Sequence, residues 1–341
     1  MELKAVRAPE EAVVVTSRVR LARNYEDIPF VPMINDVWAA ETLRRATDAI
    51  AKGPRGEDFS LIRMEELSAL ERTRMVEHHL ISYDLLKFST MAATLLSSGH
   101  TISVMVNEED HLRIQALLPG MQLERVAQMA YEADDWLGAR DQYAFDSQWG
   151  YLTSCPTNTG SGMRVSAMLH LPALTKAHQM GAVLQGMSKL GLTVRGLYGE
   201  GSEAQGNLYQ LSNQVTLGRS EEEMLRSLGA ACAQVAKRET ELREMMLKAD
   251  AVGMEDHLMR SAGMLKAARK LASAEMMQRF SDLRLAACMD FVDFTPGELD
   301  SLMMDLQPAS VSLVAGRELD ADERDENRAA QCREALKNLQ L

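Results

Sequence analysis

The stretch AVVVTSRVRL, from Ala12 to Leu21, has the alternating pattern of a β-strand with two arginines on one of its faces. Because alternate residues of a strand point to the same side, Thr16, Arg18 and Arg20 share a face. Two cations about 7 Å apart along that face favour an anion between them. A solvated edge strand, protected by its charges, explains the same pattern, so both interpretations stay open at this point.

Length and composition predict a soluble protein of about two domains. The chain has 341 residues, and hydrophobic residues make up 46%, which is enough for a sizeable core. Its 37 Lys and Arg against 49 Asp and Glu give a net charge of −12, which disfavours general binding to nucleic acid. The four cysteines form no C-x-x-C pair, and neither a signal peptide nor a membrane span is evident. We therefore expect free thiols, a cytoplasmic location, and neither a nucleic-acid nor a membrane partner.

The first 220 residues mix strands and helices without a regular βαβ rhythm. This mixture predicts an α+β fold whose amino-terminal part is an antiparallel or mixed sheet flanked by helices. The patterns predict a helix over 64–81, strands over 101–106, 165–171 and 190–196, and a hairpin over 207–218 with Ser212 and Asn213 in its middle.

Beyond residue 220 the pattern is almost wholly helical. Ser220 and Thr295 each precede a glutamate at capping-box spacing, which predicts two helix starts. Either Asp320 or Asp322 is predicted to cap a last helix that runs to the carboxyl end. A boundary between 225 and 255 follows, with one domain over 1–230 and an all-α domain over 245–341.

Carboxylates follow an apolar strand in the segment VNEEDHLR, Val106 to Arg113, where Glu108, Glu109 and Asp110 are adjacent. A carboxylate held at a strand end would bind or deprotonate a cationic group. An acidic turn that caps the next helix is the alternative. Walker, dinucleotide-binding and protein-kinase motifs are absent from the sequence, so any phosphate chemistry has to rely on arginine.

A cysteine and two glycines mark the segment SCPTNTGSGMR, Ser154 to Arg164. Gly160 and Gly162 would let backbone N–H groups approach an anion closely. Cys155 is either a plain buried thiol or a thiolate whose pKa nearby cations lower.

The segment RGLYGEGSEAQG, Arg195 to Gly206, places an arginine at a strand end and Glu200 in a glycine-rich loop, although a mobile surface loop is the alternative. In their order and wording, these four segments resemble the ATP:guanido phosphotransferases, the family of creatine and arginine kinases. The resemblance covers roughly residues 10 to 225 and is closest to the protein-arginine kinase branch. The S-R-V-R run begins at Ser17, which leaves no room for the small amino-terminal domain of the metabolite kinases. We therefore expect a protein substrate rather than free arginine or creatine.

The resemblance implies specific roles for these residues. Glu109 and Glu200 would grip the substrate guanidinium, with Cys155 as a reactive cysteine beside it. Mg²⁺ would travel on the ATP phosphates without a dedicated protein metal site. The residues implied in ATP binding are Thr16, Ser17, Arg18, Val19, Arg20, His79, Arg113, Arg164, Val165, Ser166, Ala167, Met168, Arg195, Gly196, Leu197, Tyr198, Gly199 and Glu200. The sequence departs from the family pattern at Thr159, where an aliphatic residue is usual.

The carboxyl-terminal segment RDENRA, Arg324 to Ala329, matches the RDxxRA motif of the protein-arginine kinases. In that branch the motif forms a second, regulatory pocket for phosphoarginine and contributes dimer contacts, which implies roles for Arg324, Asp325, Arg328 and Ala329. Arg324 and Arg328 lie one helical turn apart and could clamp a phosphate together. Asp325 would orient a neighbouring cation or recognise the guanidinium of the ligand. A solvated charged helix face is the alternative.

The resemblance implies an ATP-dependent protein-arginine kinase of stress response and protein quality control. Its phosphoarginine product would mark proteins for a Clp-type ATPase and protease, with help from a zinc-binding activator protein. We also expect a homodimer or a higher homo-oligomer. Two other functions stay open, namely a kinase for free arginine or another small guanidine, and a phosphoarginine-binding adaptor with weak catalysis.

Overall fold

An eight-stranded sheet lies at the centre of the amino-terminal part in the computed structural model, which describes residues 9–86, 91–196 and 205–339. In chain order the strands are β1 Val14–Arg23, β2 Phe59–Arg63, β3 Ala93–Ser97, β4 Ile102–Val106, β5 Leu112–Pro119, β6 Phe145–Asp146, β7 Gly150–Tyr151, β8 Met163–His170, β9 Leu192–Gly196 and β10 Leu208–Asn213. The sheet order is β2-β3-β4-β5-β1-β8-β10-β9, and β6 pairs with β7 outside it. Every described pairing is antiparallel, so the predicted α+β class is confirmed.

Strand β1 lies inside the sheet, because it pairs with β5 on one side and with β8 on the other. The edge-strand interpretation of its arginines is therefore wrong. Val19 and Leu21 are fully buried against the helical layer, and Arg18 and Arg20 lie on the opposite face.

Helices cover the apolar face of this sheet and form the whole carboxyl-terminal part. They are α1 Pro9–Val13, α2 Asp36–Ala51, α3 Ala69–Glu77, α4 Leu123–Gly138, α5 Pro172–Lys176, α6 Met180–Lys189, α7 Glu221–Ala249, α8 Ala251–Ala267, α9 Ser273–Cys288, α10 Pro296–Asp305, α11 Pro308–Val314 and α12 Ala321–Ala335. The buried stripes of α2, α4 and α7 share one hydrophobic core with the sheet, and a second core joins α8, α9, α10 and α12. Among the described helices, none is long and apolar enough to cross a membrane.

Capping boxes begin three of these helices where the sequence predicts them. Ser220, Thr295 and Asp320 each accept a hydrogen bond from a backbone N–H three residues on, and a glutamate there returns the bond. The predicted domain boundary, between 225 and 255, covers most of α7, which continues without a break from Glu221 to Ala249, and the start of α8.

Two predicted elements differ from the structure. The helix predicted over 64–81 is shorter, because a capping box at Ser68 starts α3 there and His79, at φ 57°, has left the helical conformation. The hairpin predicted over 207–218 is wrong, because Ser212 and Asn213 end the single strand β10. The Asn213 side chain accepts a hydrogen bond from the backbone N–H of Val165 on β8, so pairing across the sheet outweighs the turn preference of Asn.

Candidate active site

A cavity of about 1170 Å³ opens on the polar face of the sheet. Arginines from four different strands point into it, together with His79 and Cys155. These arginines are Arg18 and Arg20 on β1, Arg113 on β5, Arg164 on β8 and Arg195 on β9. The structure thus brings together five of the cations that the sequence had placed in four separate segments.

The strand register places like charges directly opposite each other. Arg20 pairs with Arg164 across the β1–β8 ladder, and Arg18 pairs with Ser166 two positions along. Like charges at such positions are destabilising unless something compensates them. Burial and then the neighbouring guanidinium groups lower the pKa of Arg18 to about 10, and the same causes hold the pKa of Arg20 well below its usual value. The cluster therefore favours a bound, multiply charged anion.

The three adjacent acidic residues after β4 have three different environments. Glu108 is fully buried and accepts hydrogen bonds from Arg113 Nη1, from Ser82 Oγ and from the backbone N–H of Glu109. Asp110 is also buried, and its Oδ1 accepts from Asn24 Nδ2 and from the backbone N–H of Ser154, each at 2.7 Å. These two carboxylates support the structure of the site and do not line the cavity.

Glu109 lines the cavity, and its side chain is 36% exposed. Its Oε2 accepts hydrogen bonds from Arg113 Nη2 at 2.8 Å and from Asn158 Nδ2 at 3.2 Å. Burial raises the pKa of this carboxyl, and the nearby Arg113 opposes the shift. A carboxylate with a raised pKa at a cavity wall is suited to accept a proton from a cationic ligand.

The cysteine loop, Ser154 to Arg164, lies beside Glu109, and hydrogen bonds of threonine side chains fix its conformation. The Cys155 Sγ lies 3.0 Å from the Thr157 hydroxyl. Thr216 Oγ1 lies 2.9 Å from the carbonyl oxygen of Thr157 and 2.7 Å from that of Thr159, and the side chain of Thr159 bonds to Thr153 at 3.0 Å. The unusual Thr159 therefore has a hydrogen-bond partner that an aliphatic residue would lack.

The two glycines of this loop are required for close packing, and Gly162 also lines the cavity, so their approach to an anion stays a prediction. Gly160 has φ 120°, its N–H donates to Tyr151, and a Cβ there would come within 2.6 Å of the Thr216 carbonyl oxygen. A Cβ on Gly162 would come within 2.6 Å of Arg23 Nη1. Any larger side chain at either position would displace the loop.

His79 reaches the cavity from the segment that follows α3. Burial, followed by the charge of Arg18, lowers its pKa to about 4, so the imidazole is neutral at pH 7. Its backbone carbonyl accepts a hydrogen bond from Gln115 Nε2 at 2.8 Å. This histidine therefore contributes a neutral polar group to the cavity.

Several residues predicted to bind ATP have side chains that do not reach the cavity. The Ser17 Oγ donates to the Gly120 carbonyl oxygen at 2.8 Å, accepts from the Gln122 N–H at 2.9 Å, and lies on the opposite face of β1. Buried in the hydrophobic core are Val19, Val165 and Ala167. Met168 packs against the core of the carboxyl-terminal helices.

Other predicted residues lie at the margin of the site or beyond the described chain. Thr16 and Ser166 share the arginine-bearing faces of β1 and β8 without lining the cavity, and Gly196 is the last residue of β9. Leu197, Tyr198, Gly199 and Glu200 lie outside the described residues.

The RDxxRA motif lies on α12, and its second arginine is fully buried. Arg328 Nε donates to the Leu306 carbonyl oxygen at 2.9 Å, and Nη1 donates to the Leu271 carbonyl oxygen at 2.7 Å and to Asp325 Oδ1 at 2.6 Å. Its Nη2 is buried and has no hydrogen-bond partner among the described residues. The interpretation of the motif as a solvated face is therefore wrong for Arg328.

The other motif residues also restrict the predicted clamp. Arg324 Nη1 donates to the Leu319 carbonyl oxygen at 2.9 Å, and Ala329 is fully buried in the core. Both guanidinium groups already bind backbone carbonyls. Arg324 and Arg328 therefore do not present two free guanidinium groups to one phosphate. Arg328 Nη2 and the N–H groups of Arg324 that do not bind Leu319 are the donors of this motif that remain for a ligand.

Taken together, arginines that converge from four strands and a carboxylate with a raised pKa at their edge form a site suited to phosphoryl transfer. Residues 41–242 match the family model described as ATP:guanido phosphotransferase, C-terminal catalytic domain. Residues 251–341 match the model described as Protein-arginine kinase McsB C-terminal domain. The chain belongs to the ATP:guanido phosphotransferase family, as the four segments had predicted.

Curated relatives and solved structures agree with this assignment. The protein-arginine kinase of Moorella thermoacetica is 45% identical over 96% of this chain and 95% of its own length. That of Pelotomaculum thermopropionicum is 44% identical over 97% and 94%, respectively. A lombricine kinase structure, 21% identical, superposes with a TM-score of 0.61 over 71% of each chain. A taurocyamine kinase from Schistosoma mansoni, 22% identical, gives 0.62 over 81% of this chain and 40% of its own. At such low identity, these two structures support the fold alone.

Proposed function

We propose that this protein is a protein-arginine kinase, which transfers the γ-phosphoryl group of ATP to arginine side chains of other proteins. The observation that carries the proposal is one cavity that five arginines line, with Glu109 and Cys155 also at its wall. Relatives that match nearly the whole chain are named protein-arginine kinases, and the carboxyl-terminal part matches a domain of such kinases; both support a protein, rather than a metabolite, as the substrate.

The arginines and Glu109 have complementary roles in the proposed reaction. Arg18, Arg20, Arg164 and Arg195 would hold the triphosphate and stabilise the charge that spreads over the transferring group. A guanidinium has a pKa above about 12 and is a poor nucleophile, so it must lose a proton as it attacks. A nitrogen–phosphorus bond forms, the bond from the γ-phosphorus to its bridging oxygen breaks, ADP leaves, and the guanidinium proton passes to Glu109.

The arginine-rich cavity fits a triphosphate, and Mg²⁺ would enter as part of the ATP substrate. Among the described residues, no cluster of three or more His, Cys, Asp or Glu side chains could hold a metal ion. Within the proposal, the metal is bound chiefly by phosphate oxygens. Glu200 stays a prediction as the second carboxylate, because it lies outside the described residues.

The biological setting remains part of the proposal. Phosphoarginine would mark proteins for a Clp-type ATPase and protease during stress, and a zinc-binding activator protein would assist the kinase. The buried Arg328 Nη2, which has no partner among the described residues, supports a phosphoarginine pocket at α12.

The decisive experiment is incubation of the protein with MgATP and either a denatured protein or free arginine. We expect phosphoryl label on arginine of the protein substrate, detected by mass spectrometry, and little label on free arginine. A nitrogen–phosphorus bond should hydrolyse in acid and survive alkali better than a phosphoserine ester. Label that survives hot acid would show hydroxyl phosphorylation and a different reaction class. Preferential labelling of free arginine would instead support a small-guanidine kinase.

The pH dependence should follow the ionisation of Glu109. The carboxylate must be deprotonated to accept a proton, so kcat/KM should fall as the pH is lowered. Because the pKa of Glu109 is raised, this fall should begin at a higher pH than it would for an ordinary glutamate. Asn158→Ala removes a hydrogen bond to the carboxylate, which raises the pKa further and should move the acid limb to still higher pH. An acid limb that stays in place in this variant would show that another group titrates.

Phosphoarginine binding at α12 should depend on Arg324. A charge-assisted hydrogen bond contributes about 1.5–3 kcal/mol, so Arg324→Ala should weaken the binding of free phosphoarginine by roughly tenfold or more, as measured by calorimetric titration. Arg260→Ala is the matched control, since that arginine is exposed on α8 and pairs with Asp256. Equal affinities in the wild type and in Arg324→Ala would remove Arg324 from the pocket. Arg328 is unsuitable for this test, because its loss would leave buried carbonyls unpaired.

A further inference from the structure

The carboxyl-terminal helices form one wall of the arginine-lined cavity. Ser273 on α9, Met304 on α10, and Gln307 and Pro308 at the start of α11 all line it. The opposite wall is the sheet that bears the arginines. The nucleotide cavity therefore lies between the parts of the chain that match two separate family models.

Glu77, the last residue of α3, joins these two parts at the edge of the cavity. Its carboxylate accepts hydrogen bonds from the backbone N–H groups of Ala309 at 2.8 Å and Ser310 at 3.0 Å. It also accepts from the Ser310 hydroxyl at 3.1 Å. All three donors belong to the first turn of α11, so the negative charge of Glu77 is compensated by a helix start from the other part of the chain.

The two histidines that follow Glu77 connect this contact to the cavity, since one bonds to the first turn of α11 and the next lines the cavity. His78 Nε2 lies 3.1 Å from the Ser310 hydroxyl and 3.7 Å from Asp305 Oδ1. His79, the next residue, has φ 57° and lines the cavity. A non-glycine residue in this left-handed conformation costs energy and persists only where its neighbours fix it.

The start of α11 is also held by a contact from α12. The Leu306 carbonyl oxygen, two residues before Pro308, accepts from the buried Arg328 Nε at 2.9 Å. On the sheet side, Gln115 holds the carbonyl of His79. The segment from Glu77 to His79 is therefore held between two rigid supports, of which one belongs to the carboxyl-terminal part.

We propose that Glu77 is a positioning residue through which the carboxyl-terminal helices set the affinity of the cavity for ATP. The inference rests on the proposed kinase function and deepens it. Without the Glu77 contact, α3 and His79 would no longer be held at a fixed distance from Gln307 and Pro308 on the other side of the cavity. The arginines lie on the sheet and Glu109 lies in the turn between β4 and β5, so the groups that perform the chemistry would keep their places.

The test is the Glu77→Gln substitution in the full-length protein. Glutamine has the shape of glutamate, but its amide NH₂ group would face backbone N–H donors and could not accept their hydrogen bonds. We expect the dissociation constant and the KM for MgATP to rise roughly tenfold, while kcat at saturating ATP changes less than about threefold. Ser310→Ala removes one donor and leaves the cavity charge unchanged, so it should shift both constants in the same direction but less. Glu65→Gln is the matched control, because Glu65 is exposed and precedes α3.

The outcomes separate this inference from the proposed function. ATP binding is measured by calorimetry, which requires no arginine substrate. Unchanged or tighter ATP binding in Glu77→Gln, or a loss of kcat at unchanged KM, would overturn the role of Glu77 and leave the kinase proposal intact. A wild-type protein that binds ATP but makes no phosphoarginine would overturn the kinase proposal alone. If Glu77→Gln unfolds, an unchanged ATP affinity in Ser310→Ala would overturn the inference.

Discussion

Glu109→Gln should reduce protein phosphorylation by about 10² to 10⁴-fold, because the substitution removes the group that accepts the guanidinium proton. ATP binding should survive, since Glu109 lies at the wall of the cavity and Arg113 keeps its buried partner Glu108. The measurement is kcat/KM with a denatured protein substrate, alongside calorimetric titration of MgATP.

Two further variants separate chemistry from structure in this acidic segment. Glu124→Gln is the control for charge, because Glu124 is exposed in the first turn of α4. Glu108→Gln breaks a buried ion pair and should lower the free energy of unfolding by about 3–5 kcal/mol. Near-normal turnover in Glu109→Gln would show that this carboxylate does not take the proton.

The arginine pattern of β1 could be predicted from the sequence, since strand alternation alone places Arg18 and Arg20 on one face. What alternation cannot show is which strands lie beside β1. The pairing of Arg20 with Arg164 joins residues far apart along the chain, and only the register of the folded sheet sets them opposite each other. The choice between an edge strand and an anion site therefore depended on tertiary structure.

The acidic segment shows a second limit of sequence reasoning. Glu108, Glu109 and Asp110 are equivalent by composition, and the family resemblance selected Glu109 without a physical reason. The structure supplies that reason, because Ser82 and Arg113 hold Glu108 in the interior and Asn24 holds Asp110. Ser82 and Asn24 come from other segments of the chain and carry no local signal, although Arg113 belongs to the acidic segment itself.

The carboxyl-terminal part shows the same limit on a larger scale. Capping boxes predicted the starts of α7 and α10, and a choice of two capping aspartates predicted that of α12, because caps are local chemistry. The contact of Glu77 with α11 joins residues more than 200 positions apart, so no pattern within either segment predicts it. Burial of Arg328 was likewise hidden, since two of its partners are backbone carbonyls from other segments of the chain.

Arg20→Met should make the ligand-free protein more stable while it removes most of the activity. In the absence of an anion, Arg20 is repelled by Arg18, Arg113 and Arg164, and burial adds to the cost of its charge. Methionine keeps the aliphatic stem and removes the charge, so the free energy of unfolding should rise by about 0.2–1 kcal/mol. An arginine that stabilises a transferring phosphoryl group accounts for about 10³-fold or more in kcat, so turnover should fall by that order.

Thermal unfolding with and without tripolyphosphate distinguishes this explanation from simple damage to the fold. The anion should raise the Tm of the wild type strongly, because it binds the folded state and relieves the repulsion, and should raise that of Arg20→Met much less. Arg125→Met is the matched control, since Arg125 is exposed on α4 and should change neither quantity. A lower Tm for ligand-free Arg20→Met, or an equal gain from the anion in both proteins, would mean that the arginines of β1 stabilise the fold rather than hold a phosphate. A higher Tm for ligand-free Arg20→Met together with a smaller gain from the anion would link stability to activity. The positive charge of Arg20 that destabilises the empty site would then be the charge that binds the triphosphate.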